Sequence, residues 1–187
     1  MQSISKDILI RASEGDMEAF EKIYKAACGF VYSVALRIVN NRSDAQEVTQ
    51  DVFLKIYKNL KKFQFRSSFK TWVYRITTNT ALNAYRKRSK EISRRGDYNI
   101  AIKSAAIAGE TEKAVDKENS QRLLGSLLNM LNPDQRACIV LREIEGLNYK
   151  EIAEVLKINI NTVRSRLKRA REILLTRSKE GVISYEL

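Results

Sequence analysis

A run of closely spaced cations near the C-terminal end is the first feature of this sequence that could do chemistry. Residues 159–172, NINTVRSRLKRARE, contain five basic side chains and one carboxylate. Like charges three or four residues apart on a helix repel one another by about 0.2–0.5 kcal/mol per pair. A bound polyanion would offset that repulsion, so the stretch indicates a nucleic-acid contact. The cations are Arg164, Arg166, Lys168, Arg169 and Arg171.

A second basic stretch lies between Lys61 and Arg95, with 11 basic residues and one acid, Glu91. Aromatic residues interleave with these cations. Rings on which bases stack, next to cations that meet phosphates, are typical of single-stranded nucleic-acid binding. We expect about half of the rings to belong to the core and the basic excess to face a ligand. The rings are Phe63, Phe65, Phe69, Trp72, Tyr74 and Tyr85.

The composition supports binding over catalysis. The chain has 187 residues, a formal net charge of +12 and no histidine, and its pI is about 9.8. Lack of histidine removes the commonest general base and the His-containing zinc sites. No catalytic residue, metal or cofactor is expected. Cys28 and Cys138 stand in apolar helical settings, which favours free thiols in a reducing cytosol.

No targeting or membrane segment is apparent. No apolar stretch approaches the roughly 20 residues that span a bilayer, and the N-terminus lacks the apolar core of a signal peptide. We therefore expect a cytoplasmic protein with no direct membrane insertion.

The elements that must position the cations are helices. Apolar residues recur at three-and-four spacing, while one proline and seven glycines leave little for a turn-rich β fold. Ser5 is expected to cap the first helix, Ser43 with Gln46 to cap the third as a capping box, and Asn132 to cap a helix that begins at Pro133. On the third helix, Tyr57 belongs to the apolar stripe that is expected to be buried, whereas Leu54 lies off that stripe. A further helix is expected over about 68–90. The sequence predicts an all-α protein with two helical domains, 1–92 and 120–187, joined by a flexible linker at 93–119.

The C-terminal domain ends in a predicted helix-turn-helix. Asn148 with Glu151 caps a short helix, Ala153 permits close approach, and Asn159 caps the last helix. With Val163, Leu167 and Ala170 inward, the basic residues point outward. In such units the second helix enters the DNA major groove.

At full length the chain resembles the extracytoplasmic-function (ECF) sigma factors, the compact bacterial group with only regions 2 and 4. The stretch SDAQEVTQDVFLKIYKNL resembles region 2.2, and FRSSFKTWVYRITTNTALNAYRKRSK resembles regions 2.3 and 2.4. The stretch LNPDQRACIVLREIEGLNYKEIAEVLKININTVRSRLKRARE resembles region 4. Their order and spacing together are highly specific. The implied function is to bind core RNA polymerase and direct promoter-specific initiation by recognising −35 and −10 elements and helping open the DNA.

The resemblance implies partners and site residues. The partners are the β′ clamp and β flap of the polymerase, promoter DNA and, for many members, an anti-sigma factor. The implied clamp-binding residues are Glu47, Gln50, Asp51, Leu54 and Lys58. Those for the −10 element are Phe63, Arg66, Ser67, Phe69, Lys70, Trp72, Asn79, Arg86, Lys87 and Arg88. Within this set, Trp72 and Asn79 match positions associated with strand opening, and the basic residues from Arg86 onward would follow the DNA backbone. Those for the −35 element are Thr162, Arg164, Ser165, Lys168, Arg169 and Arg171.

Four positions depart from the family pattern. Lys157 stands where many members have glycine, so a positive φ would strain it, and many members have proline near the position of Asn159. Phe65 also occupies a place often held by glycine, and Arg66 replaces a usual acid. The resemblance therefore gives no −10 sequence preference.

Three other functions compete with this interpretation. A stand-alone helix-turn-helix regulator would bind duplex DNA without polymerase, but it leaves the aromatic and basic stretch 61–90 unexplained. A nucleic-acid-modifying enzyme would need a metal or acid–base cluster, which the sequence lacks. A membrane-surface protein would need a terminal helix that combines a basic face with a wide exposed aromatic face, and the sequence predicts no such helix.

Overall fold

The computed structural model describes residues 3–94 and 123–179, and these described residues are helical with no strand. The all-α prediction is confirmed. The predicted linker lies outside the described residues except for its first two positions, which belong to a helix. The elements are α1 (Lys6–Ser13), α2 (Met17–Val39), α3 (Arg42–Asn59), a 3₁₀ turn (Leu60–Lys62), α4 (Phe69–Arg94), α5 (123–129), α6 (Pro133–Ile139) with a π turn (Val140–Ile144), α7 (Tyr149–Leu156) and α8 (Ile160–Lys179).

Helix starts follow local capping chemistry. Ser5 caps α1 as predicted, accepting from the Ile8 amide at 3.4 Å. The prediction for α3 was wrong: Asn41 is its cap, accepting from the Asp44 amide at 3.0 Å, and Ser43 lies within the first turn. An asparagine side chain satisfies the same free amides as serine, so Asn41 starts the helix two residues earlier.

Helices α1 to α4 form the first half around one apolar core. Helix α2 supplies eight buried residues and runs unbroken past Gly29. Buried side chains of α3 and α4 meet that face, among them Val52, Ile56 and Val73, each fully buried. Helix α4 continues to Arg94, beyond the predicted end at residue 90. Tyr57, expected in the buried stripe, is instead 46% exposed, with its ring edge-on to Phe20.

Helices α5 to α8 form the second half, with boundaries set by predicted caps. Asn132 and Gln135 form a capping box with Pro133 at the first helical position, and Asn148 and Glu151 form another. The helix-turn-helix consists of α7, a turn and α8. Lys157 in that turn has φ +52°, the left-handed conformation that glycine tolerates best.

The two halves pack against each other through a buried arginine. Arg136, on α6, is 1% exposed. Its guanidinium donates to the carbonyls of Leu128 (2.8 Å), Ile38 (2.9 Å) and Leu131 (3.2 Å) and lies 5.3 Å from the Tyr85 ring centroid. Burial lowers the pKa of Arg136. The guanidinium thus donates to one of the last carbonyls of α2, which have no hydrogen-bond partner within the helix.

Both thiols are free, as predicted for Cys28 and Cys138. Burial raises the pKa of the Cys138 thiol to about 11, so this side chain stays protonated at neutral pH. Within the ranges that the structure describes, no helix is both long and apolar enough to cross a bilayer.

Candidate nucleic-acid interface

Helix α8 presents one buried face and one basic face. Val163, Leu167 and Ala170 are fully buried, as predicted. Turned away from them, Arg164, Ser165, Lys168 and Arg169 are exposed, and Thr162 is half-buried. The exposed face therefore offers cations and hydroxyls to a ligand along the first three turns of the helix.

Two arginines of α8 bind carboxylates within the same half of the protein. Arg171 donates to Glu143 Oε1 at 2.6 and 3.2 Å, and the hydrogen bond to this carboxylate raises the pKa of Arg171. Arg166 lies 3.3 Å from Asp134. Arg171, predicted for DNA contact, therefore also holds α8 against the end of the π turn.

Three predicted residues of the first half form an aromatic cluster. The rings of Phe63, Phe69 and Trp72 pack with centroids 5.1–5.9 Å apart, and each side chain is at most 9% exposed. These rings therefore belong mainly to the core, and Phe63 and Trp72 also line a cleft at its surface. Lys70 lies outside the cluster, its Nζ 5.7 Å from the Tyr74 ring centroid.

A polar cleft of about 340 Å³ opens beside this cluster. The loop before α4 supplies Arg66 and Ser67, both predicted for the −10 element. Glu154, on α7, brings a carboxylate from the other half of the chain into the same cleft. The remaining lining residues are Lys62, Phe63, Gln64, Trp72 and Arg75.

A second cleft, of about 330 Å³, lies farther along α4. Trp72 and Asn79, both predicted to act in strand opening, share its lining with Lys157 from the helix-turn-helix turn. Lys55 reaches the rim from α3, and its Nζ is 2.9 Å from Thr80 Oγ1. The cleft is therefore bounded by α3, α4 and the second half together.

The basic residues near the end of α4 differ in whether a carboxylate of the protein already binds them. Arg86 donates to Asp134 Oδ1 of the second half at 3.1 Å, and Arg88 binds Asp44 of α3. Lys87 between them is exposed. In this conformation two of the three arginine and lysine residues predicted for the DNA backbone are paired with carboxylates.

The outer face of α3 brings together all five residues predicted for the polymerase. Glu47, Gln50, Asp51, Leu54 and Lys58 are all exposed. Leu54 is 55% exposed. Tyr57 and Tyr24, 46% and 45% exposed, are further large apolar side chains on α3 and α2, and Tyr24 stacks against Phe53 at 4.6 Å. An exposed leucine among acidic and amide side chains suits a protein partner with matching apolar and basic groups.

Comparison with known proteins decides between the competing interpretations. The model of Sigma-70 region 2 matches residues 23–91, and that of Sigma-70 region 4 matches residues 121–174. The RNA polymerase sigma-H factor of Pseudomonas aeruginosa is 31% identical over 182 residues, covering 92% of this chain and 93% of that protein. The ECF RNA polymerase sigma-E factor of Haemophilus influenzae is 31% identical over 179 residues, covering 92% and 94%.

The chain belongs to the ECF sigma factors. It is therefore a transcription initiation factor with regions 2 and 4, and the stand-alone regulator is not supported. Among solved structures, the sigma factor RpoE of Bartonella quintana, in complex with the anti-sigma factor NepR, is 25% identical with a TM-score of 0.68, covering 89% of this chain and 98% of that one. CnrH in complex with the cytosolic domain of CnrY shares the fold, with 23% identity, a TM-score of 0.66 and coverage of 95% and 99%.

Several residues that line the two clefts of this sigma factor were not predicted from the sequence, and four of them are charged residues that bound the region where a strand would lie. Lys62 and Arg75 line the cleft of the −10 loop, and Glu154 and Lys157 approach from region 4. The basic residues were visible as part of the charge excess, but no sequence pattern places Glu154 beside them. Among the residues that the structure describes, no group of three or more His, Cys, Asp or Glu side chains could hold a metal ion.

Proposed function

We propose that residues 1–92 dock this sigma factor on the β′ clamp and bind the −10 element, and that residues 120–187 bind the β flap and the −35 element. The observation that supports this division best is the separation of two unlike surfaces. One is the acidic and apolar face of α3, and the other is the basic face of α8. Residues 93–119 would join the two domains, passing toward the active-site and RNA-exit channels.

On the −35 side, α8 would lie in the major groove. Arginine pairs with guanine O6 and N7, and each bidentate pair discriminates by ~1–3 kcal/mol. Arg164 and Ser165 stand in the early turns of α8, which in helix-turn-helix proteins reach base edges. Lys168, Arg169 and Arg171 would neutralise phosphates, so binding would weaken steeply with salt.

On the −10 side, the loop before α4 would capture unpaired bases of the non-template strand. Phe63 and Trp72 would form part of the wall of the pocket rather than open platforms, because they pack with Phe69 and each of the three side chains is at most 9% exposed. Arg66, Ser67, Lys70 and Asn79 would supply polar contacts. Unstacking costs a few kcal/mol per base, and contacts in the pocket would offset it.

We further propose that the chain itself catalyses no reaction and acts in the cytoplasm. An anti-sigma factor is a proposed partner, because the sigma factor RpoE of Bartonella quintana, which has a similar fold, has been solved with one. The exposed α3 face is a surface that such a partner and the polymerase would compete for.

The docking face is tested by a pull-down with purified bacterial core RNA polymerase. Asp51→Arg and Leu54→Arg should each abolish capture, because they place a cation in the acidic and apolar patch. Glu18→Arg and Ile10→Arg are matched controls, since both residues are exposed on other helices. Capture by the controls but not by the variants would support the proposal. Equal capture of all five proteins would contradict it.

A further inference from the structure

Phe65 is held in a conformation that its residue type rarely adopts. It lies in the loop between the 3₁₀ turn and α4 with φ +54°. A bulky aromatic residue in the left-handed region is a genuine outlier, because its Cβ crowds the backbone there. The ring is 42% exposed. Burial of the side chain therefore does not account for the strain.

The position of the Phe65 ring is set by two neighbours. Its centroid lies 4.7 Å from that of Phe63, at an interplanar angle of 51°. The ammonium of Lys6, on α1, lies 5.2 Å from the Phe65 centroid. Because Phe63 packs in turn on Phe69 and Trp72, Phe65 is the exposed outer member of the aromatic cluster.

The surroundings of the ring carry positive charge. Arg66 follows it in the chain and is exposed. The adjoining cleft is lined by Lys62 and Arg75 and by one carboxylate, that of Glu154, so cations outnumber acids there. An exposed ring flanked by cations fits an unpaired nucleotide, whose base stacks on the ring while its phosphate meets the cations.

We propose that Phe65 is a stacking platform for one unpaired base of the −10 strand. This inference rests on the proposed function of the loop. The ring contacts the base through its face and reads no edge atoms, so it raises affinity for the open strand more than it selects a particular base.

The test uses the polymerase complex assembled from the full chain and core enzyme. The probe is a short single-stranded DNA of mixed sequence containing 2-aminopurine, whose fluorescence is quenched when it stacks. Phe65→Gly adopts φ +54° without strain, so its stability should equal or exceed that of the wild type. Its affinity for the probe should fall about five- to 100-fold, as for loss of one stacked base, and quenching should disappear.

Two further variants distinguish an effect of the aromatic ring from an effect of side-chain volume. Phe65→Tyr keeps a ring and should bind and quench as the wild type does. Phe65→Leu keeps apolar bulk without a ring and should behave as Phe65→Gly does. Wild-type affinity and quenching in the glycine and leucine variants would overturn the inference while leaving the proposed function intact. Failure of the wild-type complex to bind any unpaired strand would overturn both.

Discussion

Tyr74 of α4 donates a 2.8 Å hydrogen bond to Glu145, which lies 71 positions later at the end of the π turn. Glu145 also accepts from Arg37 of α2 at 3.3 Å, so one carboxylate of region 4 binds two helices of region 2. Burial, followed by the hydrogen bond to Glu145, raises the pKa of Tyr74 far above its usual range. The phenol is therefore protonated, and able to donate this hydrogen bond, at neutral pH.

Removal of the Tyr74 hydroxyl should destabilise the packed form. A hydrogen bond to a charged group contributes about 1.5–3 kcal/mol, and we expect Tyr74→Phe to lower the free energy of unfolding by that amount. The measurement is urea denaturation of Tyr74→Phe, Glu145→Ala and the double variant. Losses that simply add in the double variant would show that the two side chains do not interact in solution.

The buried guanidinium of Arg136 should be important for stability. Replacing it in Arg136→Met leaves the carbonyls of Ile38, Leu128 and Leu131 without their donors, and each unsatisfied buried group costs about 1–3 kcal/mol. We expect a large fall in midpoint on thermal unfolding. Lys22→Met, at an exposed position of α2, is the matched control and should change little. Equal midpoints for both variants would contradict this assignment.

The carboxylate of Glu154 should weaken binding of unpaired DNA by the free protein. It lines the same cleft as Lys62, Arg66 and Arg75, where phosphates of a single strand would lie. Glu154→Gln removes the repulsion of the ligand and should raise affinity for a short single-stranded DNA severalfold at low salt. Fluorescence anisotropy provides the measurement.

Glu18→Gln makes the same change of net charge on the first turn of α2. If it raised the affinity as much as Glu154→Gln does, the effect would come from overall charge and not from the cleft.

Most local features of this fold follow from the sequence, whereas the contacts between its halves do not. The caps at Ser5, Asn132 and Asn148 were predictable because each depends on a few neighbouring residues. Nothing in the sequence around Arg136 distinguishes it from an exposed basic residue of α6. Its burial depends on carbonyls from α2 and α5, and no pattern in the sequence places those helices together.

The candidate site shows the same division. Helical period alone predicted the exposed basic face of α8 and the exposed Leu54 of α3. It could not place Glu143 opposite Arg171, or Asp134 opposite Arg86, because these carboxylates lie 28 and 48 positions away from their partners. Tyr57 fitted the apolar period and is nevertheless exposed, since the helix period does not give the width of the buried face.

Arg164 and Lys168 should affect −35 recognition in different ways. Arg164→Ala removes a side chain from the early turns of α8 and should cost about 1–3 kcal/mol on the specific duplex, with little loss on random duplex. Lys168→Ala should weaken both duplexes alike and reduce the slope of log K against log salt by about 0.9. Titrations at several salt concentrations test both. An identical effect of the two variants on specific and random DNA would contradict the assigned roles.

Promoter-dependent transcription with purified core RNA polymerase tests the central claim most directly. Templates selected from a random promoter library by the wild-type complex should yield defined transcripts only when this protein is added. Leu54→Arg should abolish them, and Ile10→Arg should not. Tight duplex binding by the free protein, with no transcript that depends on it, would contradict the account of a sigma factor that docks through α3.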